Sequence, residues 1–338
     1  MKSILIVTDV ELGPENHTGP SSLMWEIETF IRGRTKKDYK CTVVSTRELK
    51  RGAIAACDML LVYPQHLLLK IPVVLWPKAI VLGPDSCVLL FSRFIKSKNV
   101  RITGKIRYVI ALTAYLFFEL CMLLLVKKIW LVGRLDLKTF AFGLGGYSAK
   151  VCYLTHPFNS TYTRRQRPDE KALARRIIMF GDLQSKYVWN TPELISAFSS
   201  GDNLKVLITG RRNKWLADKL RDCRILDIEF VEWVEDFSEL CGERDVHFFP
   251  LAAGAGTKNR VLGSLQFNVP IIASPIALEN IADDAETRIK LGVTLWQGEA
   301  LDMASVTHGD STYIRAFIEQ REIAFQSDIE KELCIGDT

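Results

Sequence analysis

The chain of 338 residues is long enough for two domains of about 150 residues each. Its composition, 48% hydrophobic and 25% charged, is that of a globular protein and excludes an intrinsically disordered one. The net charge of +5 divides unevenly, because residues 1–160 hold 22 Lys and Arg against 11 Asp and Glu, whereas residues 161–338 hold 22 against 28. The basic first half predicts an anionic partner, either phospholipid head groups or nucleic acid.

Short apolar runs in the first half predict the buried strands of a parallel sheet. They fall at residues 4–8, 41–45, 59–63, 73–75, 79–82, 129–132 and 150–154. A loop with Gly13 and Gly19 follows the first run and precedes a predicted helix at 22–31, which is the opening of a Rossmann-like domain. This loop lacks the spacing of a dinucleotide fingerprint, so the sequence gives little support to an NAD site.

Two polar residues follow strands of this domain at their carboxyl ends, where α/β folds bind ligands. His66 comes after the strand at 59–63, and Asp85 comes after the strand at 79–82. Both are weak candidates for a catalytic role. A packed or capping His66, and an Asp85 or Ser86 that caps the next helix, explain the same residues.

A basic run and then an apolar run occupy residues 93–128. Residues 93–107 contain six Lys and Arg and no acid, and residues 109–126 are apolar except for Glu119 and a few small polar residues. This pattern predicts a helix that packs partly on the sheet and enters a membrane interface, with the basic run attracting anionic lipid. The alternatives are a transmembrane helix and an unusually apolar core helix beside a solvated basic face.

A polar, proline-containing stretch at 156–168 predicts a hinge to a second domain. The first domain is predicted at 1–158 and includes the membrane-docking segment 93–128. The second domain is predicted at 171–311, and residues 312–333 predict a terminal helix within 312–338.

The stretch 246–281 carries the chemistry of the second domain. An apolar strand at 246–251 leads into Gly254-Ala255-Gly256, and a predicted helix at 257–266 has Lys258 and Arg260 in its first turn. A second strand follows at 269–273. Glycines let the backbone approach a ligand, while a helix N-terminus and two cations attract negative charge, so this turn predicts a diphosphate site. A tight turn without a ligand is the alternative.

The run G-A-G-T-K-N-R-V-L-G-S-L, followed by N-V-P-I-I-A-S-P-I-A-L-E-N-I, resembles the donor-binding core of a known family. These are the retaining nucleotide-sugar glycosyltransferases of the GT-B fold, called family 4 type or glycosyl transferases group 1. The segments at 177–183, 206–211 and 228–236 fall in the order and spacing of that family. The resemblance implies an α/β fold with two Rossmann-like domains facing a cleft, and a terminal helix that crosses back to the first domain.

The resemblance also implies which residues bind the nucleotide sugar. The donor-binding candidates are Gly254, Gly256, Thr257, Lys258, Arg260, Lys186, Arg211, Trp233 and Val234. Trp233 would stack on the base, and a buried core tryptophan is the equal alternative. On the acceptor side, His17, Thr18 and Gly19 would line the cleft, although surface turn residues explain them too. The nucleoside diphosphate sugar would be the co-substrate, and neither a metal ion nor a cofactor is expected.

Three positions depart from the family pattern. The family usually has a glutamate after the V-L dipeptide, where its carboxylate accepts hydrogen bonds from the ribose hydroxyls, and this chain has Gly263 there. An earlier family glutamate corresponds to Ala255, and a basic residue that many relatives have in the first loop corresponds to Asp182. These departures predict either a different mode of donor binding or a weakened or inactive member.

The sequence therefore predicts a retaining glycosyltransferase of hexosyltransferase type, acting on a membrane-associated glycan or polysaccharide acceptor. The alternative is a noncatalytic GT-B-like protein that binds a partner glycosyltransferase or a lipid-linked glycan. Nucleic acid is not an expected partner, because the basic run continues into an apolar one.

The expected location is cytoplasmic, peripheral on the inner face of the membrane. The apolar run at 4–7 is too short for a signal peptide. The eight cysteines are scattered without a C-x-x-C pair, which favours reduced thiols over disulfides or a zinc site.

Overall fold

The structure is a computed structural model that describes residues 2–13, 19–34, 39–83, 85–158, 176–198, 204–221 and 227–333. The predicted hinge beyond residue 158 and the candidates His17 and Thr18 lie outside these residues. Contacts between residues divide the chain into two units. The first unit comprises Met1–Ser92, Tyr108–Thr161 and Arg321–Thr338, and the second comprises Arg93–Arg107 and Tyr162–Gln320.

A six-stranded parallel sheet forms the centre of the first unit. Its strands are β1 Lys2–Val7, β2 Tyr39–Val44, β3 Met59–Val62, β4 Ala79–Gly83, β5 Lys128–Leu131 and β6 Val151–Tyr153. The helices between them are α1 Gly19–Arg34, α2 Arg51–Ala56, α3 Cys87–Lys96, α4 Ile102–Leu125 and α5 Arg134–Thr139. The strand order is β2-β1-β3-β4-β5-β6, and each neighbouring pair is parallel. The predicted Rossmann-like pattern of strands and crossover helices is therefore confirmed.

One predicted strand of this unit is wrong. Residues 73–75 lie in the 3₁₀ helix Val73–Lys78, not in the sheet. Val73 and Val74 are 57% and 81% exposed. Pro72 and Pro77 flank the apolar run, and prolines cannot donate the hydrogen bonds that a central strand requires.

A six-stranded parallel sheet also forms the centre of the second unit. Its strands are β7 Arg176–Met179, β8 Lys205–Thr209, β9 Asp227–Val231, β10 Asp245–Phe249, β11 Ile271–Ala273 and β12 Val293–Leu295. Its helices are α6 Thr191–Ala197, α7 Lys214–Arg221, α8 Asn259–Gln266, α9 Pro275–Leu278 and α10 Ala285–Lys290, and α11 Ser311–Leu333 follows. The strand order is β12-β11-β10-β7-β8-β9. The residues of β10 are all buried, as expected for the centre of a parallel sheet covered on both faces.

The end of α11 packs within the first unit. Phe325 and Ile329 are buried in the core beside β1 and β3. The Asp328 carboxylate accepts a hydrogen bond from the backbone N–H of Thr155 at 2.9 Å, and Glu332 forms an ion pair with Lys128.

The helix α4 is long and apolar but only slightly buried. Within the part of the chain that the structure describes, it is the one helix whose length and composition would allow it to cross a membrane. Its buried residues are Phe118, Glu119 and Met122, and Phe118 and Met122 belong to the core of the first unit, so α4 packs on that core through one face. Because α4 lies in the crossover between β4 and β5, which pair in parallel, it returns the chain to the same sheet.

Candidate functional site

The glycine turn, residues 254–257, lies at the carboxyl end of β10 and immediately before Lys258 and α8. All four of its residues are buried. Gly256 has φ +66°, in the left-handed region that favours glycine. Just ahead of the turn, Ser274 Oγ donates a hydrogen bond to the Leu251 carbonyl at 2.6 Å. The backbone of the turn is therefore held in a defined shape at the edge of the sheet where α/β folds bind ligands.

Lys258 folds back onto this turn. Its backbone is extended and it occupies the N-cap position before α8, so the prediction that it lies in the first helical turn is wrong. Its Nζ donates hydrogen bonds to the carbonyl oxygens of Ala255 and Gly256, at 2.9 Å for Gly256. The positive charge therefore lies at the turn itself.

Arg260 lies in the first turn of α8, as predicted, and reaches the loop after β7. Its guanidinium carbon is 5.8 Å from the centroid of the Phe180 ring. A side chain at Gly181, where φ is +98°, would come within 3.5 Å of Arg260 Cδ. Because β7 and β10 are neighbours in the sheet, Arg260 brings a second cation to the same edge as Lys258.

An ion pair that sequence reasoning missed also contacts the glycine turn. Arg93 donates hydrogen bonds to the Gly254 carbonyl and to both carboxylate oxygens of Glu279. The side chains of Arg93 and Glu279 are 14% and 21% exposed. The two residues are 186 positions apart, and no pattern in a single sequence relates them.

A buried histidine packs α8 against β10. His247 has no exposed surface, its Nδ1 lies 2.7 Å from Ser264 Oγ, and its Nε2 lies 2.5 Å from the Leu240 carbonyl oxygen. Burial lowers the pKa of His247 to about 4, so the ring is neutral at physiological pH. Ser264 Oγ also donates to the Arg260 carbonyl at 2.9 Å. These contacts fix the helix that carries Arg260.

Asn213 joins two loops at the same edge of the sheet and was not predicted from the sequence. It is fully buried. Its Oδ1 accepts from the Leu183 N–H at 3.0 Å, and its Nδ2 donates to the carbonyls of Gly181 and Thr209 at 2.9 and 2.5 Å. The loops after β7 and β8 are thus held together by one side chain.

Of the other predicted donor-binding residues, Arg211 and Trp233 are exposed and Lys186 is half-buried. Lys186 Nζ lies 4.9 Å from the centroid of the Tyr187 ring, and Arg211 forms an exposed pair with Glu232 at 3.6 Å. Trp233 is 75% exposed, so the alternative of a buried core tryptophan is wrong.

Val234 is half-buried. Among the residues that the structure describes, Gly254, Gly256, Lys258 and Arg260 lie together at one edge of the sheet. The contacts of Arg211 and Trp233 described here do not reach the glycine turn.

The positions that depart from the family pattern lie at or near the turn. Ala255 is 7% exposed within it, and Gly263 is buried in α8. Asp182 is exposed and accepts hydrogen bonds from the backbone and side chain of Gln184. Arg93, which donates to the Gly254 carbonyl, brings the carboxylate of Glu279 to the turn. Among the residues that the structure describes, no group of three or more His, Cys, Asp and Glu is placed to hold a metal ion.

The carboxyl edge of the first sheet holds the two catalytic candidates. His66 is exposed in the 3₁₀ helix Gln65–Lys70, and Asp85 is half-buried, with its backbone carbonyl accepting from Gln65 at 3.2 Å. Ser86 Oγ accepts from the Leu89 N–H at 3.3 Å, which confirms Ser86 as a capping residue of α3.

Two buried carboxylates lie beside this capping residue. Glu119 accepts from Ser86 Oγ at 3.1 Å, from the Val88 N–H at 3.2 Å and from the Ala141 N–H at 2.6 Å. Asp136 accepts from the Ser86 N–H at 2.7 Å. Burial raises the pKa of Glu119 to about 7, although these hydrogen bonds oppose the shift.

Comparison with known proteins agrees with this architecture. Residues 174–304 match the family model described as Glycosyl transferases group 1. Among solved structures, Anabaena HepE in complex with UDP and glucose has 9% identity and a TM-score of 0.58, over 97% of this chain and 93% of that chain. Sucrose-phosphate synthase from Thermosynechococcus elongatus has 9% identity and a TM-score of 0.57, over 96% and 92%. WaaG, a glycosyltransferase involved in lipopolysaccharide biosynthesis, has 8% identity and a TM-score of 0.55, over 99% and 96%.

Comparison with curated protein sequences gives no match. The chain has the two-unit α/β architecture of the GT-B glycosyltransferases. Residues 174–304, the segment that contains the glycine turn, are similar to glycosyl transferases group 1. The resemblance to glycosyl transferases group 1 predicted from the sequence is therefore confirmed.

Proposed function

We propose that the protein is a retaining glycosyltransferase of hexosyltransferase type that takes its sugar from a nucleoside diphosphate sugar. The observation that carries this proposal is the buried glycine turn with Lys258 and Arg260 at the carboxyl edge of the second sheet. It lies within the segment that matches glycosyl transferases group 1. Glycine backbone and two cations at one sheet edge are the chemistry that a diphosphate requires.

The task of this edge is to stabilise the leaving diphosphate. Negative charge grows on the phosphate oxygens as the bond to the sugar breaks, and Lys258 and Arg260 would offset that charge. Lys258 now donates to two backbone carbonyls, so it would exchange these weak partners for phosphate oxygens. The neutral His247 and the buried Asn213 fix α8 and the neighbouring loops before the donor binds. No cofactor or metal ion is part of this proposal.

UDP is the first nucleotide to test. One solved structure of similar fold is described as HepE in complex with UDP-glucose, at 11% identity and a TM-score of 0.58. Trp233 is 75% exposed and follows β9, so its ring is accessible to a base.

The acceptor in this proposal is a membrane-associated glycan or polysaccharide, and the protein is peripheral on the cytoplasmic face of the membrane. In α4, the apolar residues Val109, Ile110, Phe117 and Leu124 are 48%, 66%, 70% and 74% exposed. Such a helix lowers its free energy when it lies in a lipid interface. Lipid-linked acceptors are found at that interface, so docking would bring the enzyme to its substrate.

The test of donor binding is a thermal-shift panel with UDP, GDP, dTDP, CMP and ADP. A nucleotide at about 100 times its Kd should stabilise the protein by about 2.7 kcal/mol. Lys258→Ala and Arg260→Ala should each weaken binding at least tenfold, about 1.4 kcal/mol. Lys205→Ala is the control, because Lys205 is a half-exposed lysine at the amino end of β8.

The nucleotide that stabilises the protein identifies the nucleotide sugar to test. Incubation of the protein with that nucleotide sugar and membrane extracts tests sugar transfer, and the anomeric configuration of the product tests retention. A noncatalytic GT-B-like binding protein is the second candidate, because Ala255 and Gly263 replace both family glutamates. Nucleotide binding without sugar transfer or donor hydrolysis would favour that candidate. The absence of any nucleotide response would remove support from both the donor site and the transferase proposal.

A further inference from the structure

An apolar loop, Phe140–Tyr147, follows α5 and exposes three large side chains. Phe142, Leu144 and Tyr147 are 76%, 53% and 95% exposed, whereas Phe140 at its base has no exposed surface. Apolar side chains usually lose contact with water on folding. Three exposed apolar side chains on one short loop therefore mark a surface that a membrane or another molecule covers.

The shape of this loop is imposed by the rest of the first unit. Ala141 and Phe142 have backbone φ angles of +50° and +60°, which residues other than glycine rarely adopt. A Cβ atom at Gly145 would lie 2.7 Å from Phe140 Cβ, so this conformation of the loop requires a glycine there. The loop is thus a built protrusion whose base is packed and whose apolar tip is directed away from the core.

The buried carboxylate of Glu119 holds the loop against α4. Its Oε2 accepts from the Ala141 N–H at 2.6 Å, while its Oε1 accepts from Ser86 and Val88. A second link joins the following residues to the end of the same helix, because Lys150 Nζ donates to the Leu124 carbonyl at 3.0 Å. The loop therefore lies beside the C-terminal half of α4, where Leu124 is 74% exposed.

The stretch that contains the loop and most of α4 exposes positive charge. Residues 108–154, which belong to the first unit, contain five Lys and Arg and only two acids. Those two acids, Glu119 and Asp136, are 0% and 1% exposed, so the exposed charges of this stretch are all positive. Protein partners usually present charges of both signs, whereas an anionic bilayer offers an apolar phase under a negative surface. Aromatic side chains such as Phe142 and Tyr147 are also those that membrane interfaces favour.

We propose that the apolar loop is a second membrane-insertion element, which enters an anionic lipid interface together with α4, and that Glu119 is the positioning residue that sets its shape. This inference rests on the membrane-docking part of the proposed function and adds to it a second contact. Two separate insertions fix the orientation of the first unit on the bilayer, whereas a single helix leaves rotation about its axis free.

The first experiment measures how the purified full chain partitions onto two kinds of vesicle. One contains neutral lipid alone, and the other contains neutral lipid with about 30 mol% anionic lipid. The variant Phe142→Ser/Leu144→Ser/Tyr147→Ser should lower the partition coefficient on anionic vesicles at least tenfold. The control is Val74→Ser/Ile289→Ser/Ile323→Ser, which removes three side chains that are 81%, 75% and 67% exposed elsewhere. It should change partitioning less than twofold.

Hydrogen exchange of the unmodified protein gives an independent readout. Amides of 140–147 should exchange more slowly when anionic vesicles are present, and neutral vesicles should have a smaller effect. Equal partitioning of the loop variant and the wild type, or equal exchange with and without vesicles, would overturn the proposal. A protein partner would then be the better account of the exposed loop.

The role of Glu119 is tested with Glu119→Gln, whose single side-chain oxygen cannot accept from both the Val88 N–H and the Ala141 N–H, so its N–H₂ opposes one of these donors. This variant should speed exchange at 140–147 and lower partitioning, and adding it to the triple loop variant should cause no further loss. Additive losses would mean that Glu119 acts only through general stability. The UDP thermal shift is measured on every variant, so failure of the loop proposal is distinguished from failure of the donor site.

Discussion

The carboxyl edges of the two sheets differ in the charges that they present. At the second sheet, the loops after β7, β8 and β10 contain Gly181, Gly210 and Gly256, all with positive φ, and the cations Lys258 and Arg260 lie among them. At the first sheet, the carboxylates of Glu119 and Asp136 are buried and accept hydrogen bonds from the chain's own N–H groups.

This difference separates the proposed ligand site from an internal support. An edge with cations and close-approaching backbone attracts an external anion such as a diphosphate. An edge whose backbone N–H groups are already satisfied by internal carboxylates has less capacity for another anion, and it fixes loops instead. Changes at the second edge should therefore alter nucleotide binding, whereas changes at the first should alter stability and loop geometry.

The largest effect is expected at Asn213. Replacement by Ala leaves the Leu183 N–H and the carbonyls of Gly181 and Thr209 without this partner. Each buried group left unpaired costs about 1–3 kcal/mol, so the free energy of unfolding should fall by roughly 3–5 kcal/mol. Urea unfolding of the full chain, followed by circular dichroism, measures this change.

A milder substitution elsewhere in the same unit provides the control. Asn190 caps α6 by accepting from the Glu193 N–H at 3.1 Å, and Asn190→Ala should cost about 1 kcal/mol. Equal losses for the two variants would mean that the three hydrogen bonds of Asn213 stabilise the protein no more than one helix cap does. Asn213→Asp keeps the oxygen that accepts from the Leu183 N–H. Its second carboxylate oxygen replaces the N–H₂ donor and faces two carbonyl oxygens, so this variant should also destabilise the protein.

At the first edge, the pH dependence of stability tests whether Glu119 is an internal support. Burial raises its pKa from 4.5 to about 7, so the folded state retains the proton in a range where the unfolded state has lost it. The free energy of unfolding should therefore decrease as pH rises from about 4.5 to about 7, by about 3 kcal/mol from this one group, and then level off.

Glu119→Gln removes that titration and leaves the other ionisable groups in place. The difference in unfolding free energy between wild type and variant should fall across this pH range. A constant difference between pH 4 and pH 8 would contradict the assignment. Nucleotide binding should not follow the same curve, because the cations of the second edge lie in the other unit.

The sequence predicted most of the fold because buried parallel strands and glycine turns have local signals. Apolar runs such as 246–251 mark strands directly. The run at 73–75 misled because flanking prolines exclude a ladder, and the three-residue strand β12 was not predicted. Part of the candidate site was predicted for the same reason, since Lys258 and Arg260 follow the glycines. Asn213 and the Arg93–Glu279 pair were not predicted, because their partners are far apart in sequence and lack a periodic pattern.

The smallest effect is expected from restoring the family carboxylate with Gly263→Glu. Gly263 is buried in α8, so a charged side chain without a partner should lower the melting temperature of the unliganded protein. If Gly263 occupies the position of the family glutamate, the ribose hydroxyls of a bound nucleotide would satisfy that carboxylate, and affinity should rise three- to tenfold, about 1 kcal/mol. Isothermal titration with UDP measures the gain. Gly263→Ala is the matched control, because it changes the helix backbone without adding an acceptor, and its affinity should equal that of the wild type. A loss of affinity in the Glu variant alone would instead mean that donor binding in this chain has been rebuilt without the carboxylate, with Glu279 as the acid that remains at the turn.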